Sequence, residues 1–378
     1  MNQGDSTGTA GPAPTDSTPD LLGYHMPAEW EPHAATWIAW PHNRDDWPGK
    51  IAPIPWVYTE IVRYLSRAEK VHIVVRGGGM KRRVADQLDA VGVDLEAVRF
   101  FKAATDRAWL RDSGPTFIVK REPAPDAADA VALIDWKFNG WSKYDNHRRD
   151  DRLPGKLARW LGLRSWVPRV EQGGRRVRVV MEGGAIDVNG RGTLLTTEEC
   201  LLGEVQARNP GLDRAEMEQI FAHYLGVRHV VWLGRGIEGD DTHGHVDDLA
   251  RFVDPRTVVT AVEPRAEDPN HEPLQDNLRR LRTACDQDGQ PLRVVELPMP
   301  RAVVFEGQRL PASYANFTIA NGLVLVPTFN DPADRAALEI LSILFPDRQV
   351  VGIHSVDLVL GLGTLHCLSQ QQPAGSAS

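Results

Sequence analysis

Residues 185–197 read AIDVNGRGTLLTT, residues 250–262 read ARFVDPRTVVTAV, and residues 315–328 read ANFTIANGLVLVPT. Each stretch is two apolar runs around a tight-turn pair: Asn-Gly, Asp-Pro, Asn-Gly. Asn and Gly tolerate positive φ and Pro fixes its own, so each pair reads as a hairpin turn. The turns begin at Asn189, Asp254 and Asn321, 65 and 67 residues apart. A helical pattern follows each hairpin, at 214–225, near 274–286 and at 332–344. An apolar strand then follows, at 229–233, 292–297 and 349–353. The unit is strand, turn, strand, helix, strand.

Weaker copies lie upstream. One runs from TFIVK at 116 through VALIDWKF at 131 to a helix near 153–161. Another holds a helix at 58–68 and the strand VHIVV at 71. A period near 65 residues fits about five times, which points to a radial arrangement of ββαβ units rather than a solenoid. The alternative is a doubly wound α/β sheet in which hairpins recur. Length alone suggests about two domains. No linker interrupts the repeat, so residues 21–378 are expected to form one domain.

The chain has 378 residues, with 43 Lys plus Arg against 51 Asp plus Glu, a net charge of −8. That balance disfavours nucleic acid, which selects a basic face. It suits a small cationic ligand. The three cysteines, Cys200, Cys285 and Cys367, have no close spacing, which supports neither a disulfide framework nor a Cys-based zinc site. No apolar run of about 18 residues offers a membrane span, and no basic-then-apolar start offers a secretory signal. A cytoplasmic protein is the expectation. Residues 1–20 read as a disordered tail, 121–130 as a loop, and 370–378 as uncommitted.

Polar residues recur ahead of the first strand of these units. Glu182 lies seven residues before the turn at Asn189, and Asp247 seven before the turn at Asp254. His245 lies nine before that turn, and Asp112 stands just ahead of TFIVK. In a radial fold equivalent strand starts converge, so these four side chains are expected in one pocket. His245 and Asp247 would share one face of an extended strand. The segment GDDTHGHVDD at 239–248 also offers His243, His245 and Asp247 as a metal set. Glu182 sits between an apolar run and two glycines, in MEGGA. Cys200 and Cys285 read as small buried hydrophobes. Cys367 differs, because it follows flexible glycines in GLGTLHCLSQQ at 361–371.

Five segments together carry a family resemblance. They are MPAEWEPHAATWIAWP (26–41), TDRAWLRDSGPTF (105–117), MEGGAIDVNGRGTLLTTEECLL (181–202), GHVDDLARFV (244–253) and HCLSQQQP (366–373). They resemble the agmatine deiminase branch of the guanidino-group-modifying, or pentein, superfamily, over nearly the whole chain from Tyr24. The resemblance implies an α/β fold, a five-bladed α/β propeller of ββαβ repeats. It implies hydrolysis of agmatine to N-carbamoylputrescine and ammonia through a covalent thiouronium intermediate. Cys367 would be the nucleophile and His245 the acid and base. Asp112 and Asp247 would grip the guanidinium, and Glu182 would orient or charge His245. A guanidinium is a planar fork of N–H donors, which paired carboxylates match. The substrate supplies its own positive charge, so neither metal nor cofactor is implied. Trp109 and Trp30 are candidates to pack on the substrate chain, with core packing as the alternative for both. Leu362 stands where this family often has Gly, and Ser369 where Thr is usual. Three alternatives remain open: deimination of another guanidine, amidino transfer to an amine, and a non-catalytic binding protein. The one ligand implied is a small cationic guanidine. For assembly, a homodimer is the base-rate expectation.

Overall fold

The computed structural model describes residues 17–123 and 127–375. Residues 1–16 of the expected tail, the centre of the 121–130 loop and residues 376–378 lie outside the described residues. From Ser17 onward the chain is packed. The Ser17 carbonyl accepts from Trp166 Nε1 at 3.1 Å, and Pro19 is buried.

The three quoted stretches fold as read. Asp187–Val188 pairs antiparallel with Thr193–Thr197, Ala250–Phe252 with Thr257–Val262, and Thr318–Ala320 with Leu323–Thr328. Each second strand then pairs in parallel with a third: His229–Leu233, Arg293–Pro298 and Gln349–His354. The helices Arg214–Leu225, His271–Thr283 and Ala333–Leu344 make the crossovers that parallel pairing requires. The signals that bound these elements are local. Asn189 Oδ1 accepts from the backbone N–H groups of Arg191, Gly192 and Thr193 and so ties its own turn. Asp213 and Glu216 form a reciprocal capping box on Arg214–Leu225, and Gly226 ends that helix at φ 66°. The middle strands are buried nearly throughout, as strands covered on both faces must be.

Two further sheets repeat the plan with an added strand. In one, Thr116–Lys120 pairs antiparallel with Tyr24–His25 and Val131–Ile134, and Ser165–Trp166 runs parallel to the latter. In the other the order is Ser369–Pro373, His33–Ala39, Lys70–Val75, Val98–Lys102. Here the C-terminal strand is antiparallel to His33–Ala39, and the remaining pairs are parallel. Residues 370–373, which the sequence leaves uncommitted, thus belong to the edge strand beside His33–Ala39. An extra helix, Gly78–Ala90, and a basic hairpin, Arg169–Gln172 with Arg175–Arg178, lie outside the repeat.

The sheets meet through buried charge. Arg251 has no exposed surface, and its guanidinium is paired with Asp187 Oδ2 at 2.5 Å and with Glu29. It also donates to the Phe317 carbonyl at 2.9 Å. One cation therefore joins three sheets, and two carboxylates offset its desolvation. Among the described residues no helix is long and apolar enough to cross a membrane.

Candidate active site

Short helical turns ahead of the first strands carry the polar residues. Asp112 lies in Leu110–Ser113, Asp247 in the turn Val246–Asp248, and Cys367 in Leu365–Leu368. Glu182 caps the turn Gly183–Ala185. His245 and Asp247 are therefore not in an extended strand, which begins only at Ala250. The tight turn still brings both to the same point, because His245 enters it with ψ 135°.

All five side chains converge. His245 Nε2 is 3.6 Å from Glu182 Oε2, and its Nδ1 is 3.7 Å from Asp112 Oδ1 and 4.0 Å from Asp247 Oδ1. Cys367 Sγ is 3.6 Å from Asp247 Oδ2. All are buried. Gly184 sits at the centre: an added Cβ there would lie 2.5 Å from His245 Nδ1, 2.9 Å from Asp112 Oδ1 and 3.0 Å from Asp247 Oδ2. The second glycine of MEGGA is thus required for space, not for an unusual φ.

Further residues complete the arrangement. Arg208 Nε lies 3.1 and 3.2 Å from the two Glu182 oxygens; burial works to raise the Glu182 carboxyl, but Arg208 and His245 hold it below the usual carboxylate range. His366 bridges Asp247 Oδ2 at 2.7 Å and Glu29 Oε2 at 2.9 Å. Trp141 Nε1 donates to Asp112 Oδ2 at 2.9 Å, and the Gly184 N–H to Asp112 Oδ1 at 3.0 Å. Asn316 Nδ2 donates to Cys367 Sγ at 3.0 Å. Asn316 also precedes a first strand, Thr318–Ala320, but at a different offset from that of Asp247 ahead of Ala250–Phe252, so the repeat does not single it out. Nothing local marks Arg208; Glu29 and His366 lie inside quoted segments, but their partners are distant in sequence.

The electrostatics suit a cation. Burial works against charge on His245, yet Asp112 and then contacts with Cys200 and Glu182 hold its proton well above the usual imidazole range. Burial pushes the Asp112 carboxyl up to about 6; His245 opposes this, and Asp247 and Glu182 add to it. Burial and then Asp247, Asp248 and Asp112 push the Cys367 thiol well up. Asp247 Oδ1 is buried with no hydrogen-bond partner. The site thus holds a sulfur atom among carboxylates, with acceptor capacity unmatched by the protein.

Cys367 and Asp112 line a cavity of about 270 Å³. Trp109 forms part of its wall, packed on Trp47 with ring centroids 5.3 Å apart. Leu362 lines it with φ 66°, a left-handed conformation that a β-carbon disfavours, at the position where the resemblance expects glycine. Trp30 does not reach this cavity. It is half-buried between two hydrophobic clusters and borders a different groove, with His25 and Arg121. Its sequence motif contributes Glu29 to the buried network instead. The proposed metal set separates too: His243, in a left-handed backbone, faces Glu199 Oε1 at 3.9 Å rather than Asp247. Two other trios, Glu182–Cys200–His245 and Asp247–Asp248–Cys367, have ligand atoms within 4.8 Å of one another. In each, a protein side chain already engages a carboxylate, Arg208 on Glu182 and His366 on Asp247.

The sequence pattern of the Porphyromonas-type peptidyl-arginine deiminase family matches residues 25–373. The chain belongs to that family. Curated relatives match along nearly their whole length. An agmatine deiminase of Medicago truncatula is 38% identical over 95% of this chain and 99% of its own. One from Pseudomonas aeruginosa (strain LESB58) is 35% identical over 95% and 98%. The solved agmatine deiminase of Enterococcus faecalis superposes with a TM-score of 0.84 at 33% identity, covering 94% of this chain and 98% of that one.

Proposed function

We propose that the protein hydrolyses agmatine to N-carbamoylputrescine and ammonia. The carrying observation is that Cys367 and Asp112 line one cavity, with Asp247 Oδ2 3.6 Å from the Cys367 sulfur and Asp247 Oδ1 buried without a partner. A guanidinium seated there meets two acceptors and presents its central carbon to sulfur. Its charge offsets the carboxylates that hold the thiol protonated, so the substrate itself favours the thiolate.

In the first step Cys367 sulfur bonds to the guanidinium carbon. The C–N bond to one terminal nitrogen breaks, and His245 protonates the departing ammonia. In the second step a water attacks the thiouronium carbon, with His245 taking its proton. The C–S bond then breaks to free the thiolate and leave the ureido carbonyl. Glu182, fixed by Arg208, supports the positive charge on His245.

The cavity mouth favours an amine at the far end of the substrate. It carries Asp45, Asp46, Asp241 and Glu306 against Arg107. Asp46 Oδ2 is a buried acceptor without a partner. Arg107 favours a second reading, free arginine, whose carboxylate it would meet. Its guanidinium is already engaged by Asp46 and Asn146. The experiment is a panel of guanidines assayed for ammonia and ureido product. Agmatine should give the highest kcat/KM; a higher value for arginine would assign the mouth to Arg107 and overturn the substrate.

The same reading takes the five sheets as blades of a closed propeller around Arg251, with the C-terminal strand completing the blade of His33–Ala39. Three free cysteines fit a reducing, cytoplasmic setting.

Asp112 predicts a pH dependence. Its carboxyl is raised to about 6 when the site is empty, so the ionised form is disfavoured in the folded protein and stability falls as pH rises toward that value. A cation needs the ionised form. Agmatine should therefore raise the Tm of Cys367→Ser protein more above about pH 6 than below it, where binding must first expel a proton. Equal shifts on both sides would remove Asp112 as a ligand.

A further inference from the structure

Asn316 is buried, and its side-chain amide is committed at both ends. Oδ1 accepts from the Thr364 hydroxyl at 2.8 Å and from the backbone N–H groups of His366 at 3.1 Å and Cys367 at 3.3 Å. Three donors facing one oxygen fix which way the amide points. Nδ2 must then face the other way, toward Cys367 Sγ at 3.0 Å and Asp248 Oδ1 at 3.0 Å. Asp248 is itself held, its carbonyl accepting from Ser313 Oγ at 2.7 Å. Among the described residues Asn316 supplies the side-chain N–H that reaches Sγ; the other close side-chain contact is a carboxylate, Asp247.

We propose that Asn316 is a catalytic residue, whose Nδ2–H stabilises the Cys367 thiolate and aims it at the carbon to be attacked. The inference deepens the deiminase reading and rests on Cys367 being its nucleophile. A hydrogen bond to an anion is roughly twice as strong as one to a neutral acceptor, so this contact strengthens as the thiol loses its proton. It acts against the surrounding carboxylates without adding a charge that would repel the guanidinium. Because the same amide grips the backbone of residues 366 and 367 through Oδ1, it also sets the direction of the Cα–Cβ bond that carries sulfur.

The test is the rate of Cys367 alkylation by iodoacetamide, read by mass spectrometry across the neutral to alkaline range. It compares the parent with Asn316→Ala and Thr364→Val. Asn316→Ala should slow alkylation about tenfold at a given pH, the effect of a one-unit rise in thiol pKa, and shift the profile alkaline. Thr364→Val, which only loosens the amide, should shift it less in the same direction. With agmatine, kcat should fall in parallel while KM holds. A folded Asn316→Ala protein with the parental profile overturns the proposal. So does an unfolded Asn316→Ala protein beside a Thr364→Val protein of parental profile, since the amide is then only a strut. Failure of the substrate reading appears separately, as a parent that releases no ammonia from agmatine yet alkylates as described.

Discussion

Cys367→Ser should abolish release of ammonia and ureido product, lowering kcat by about 10⁴-fold or more. The melting temperature should stay near the parental value. Serine is smaller than cysteine and keeps an acceptor for Asn316 Nδ2, so the surroundings of the short helix Leu365–Leu368 have no cause to rearrange. The loss is chemical. A hydroxyl yields its proton far less readily than a thiol, and the nearby carboxylates that already burden the thiol would burden an alkoxide more. Ammonia assay and calorimetry on the same preparation check both halves. Substantial turnover in a folded variant would move the nucleophile elsewhere.

Gly184→Ala should be nearly as severe by a different route. The new methyl would stand 2.5 Å from His245 Nδ1 and within 3.0 Å of carboxylate oxygens from both Asp112 and Asp247. No real contact is that close, so the imidazole and the carboxylates must part. A displacement near 1 Å at reacting groups costs roughly 10²-fold in rate. Overpacking a buried site typically costs about 1–3 kcal/mol of stability. Gly77→Ala is the control: it stands in extended backbone with nothing within 4 Å of an added Cβ. The expected result is at least about a hundredfold loss of kcat/KM for Gly184→Ala and parental behaviour for Gly77→Ala. Equal activity of the two would show that the space at Gly184 is not used in turnover.

What was legible in the sequence is what short-range physics writes there. The turn at Asn189, tied by its own side chain, and the helix Arg214–Leu225, capped by Asp213 and Gly226, lie where the pattern puts them. The sheet containing His33–Ala39 was less legible. Its partners come from both ends of the chain, and its second helix breaks the period. The site shows the same division. Asp112, Glu182, His245, Asp247 and Cys367 stand at recurring places or beside glycines, and the structure brings them together. Trp30 lies away from the cavity that Cys367 lines, and its two readings stay open in sequence because an aromatic residue in a motif looks alike whether it faces a ligand or a core. Arg208, Glu29 and His366 were missed because their meaning lies in partners on other sheets.

The pairing of Ser369–Pro373 with His33–Ala39 has a consequence for biosynthesis. The side chains of Trp37 and Gln372, 335 residues apart, are bonded at 2.9 Å within that sheet. A ribosome has therefore made every acid of the site, and His245, long before the sulfur arrives. Contacts of such separation form late and slowly. A nascent or stalled chain can assemble the other sheets yet remain inert toward guanidines, and the thiol enters its carboxylate-lined setting only when the edge strand docks.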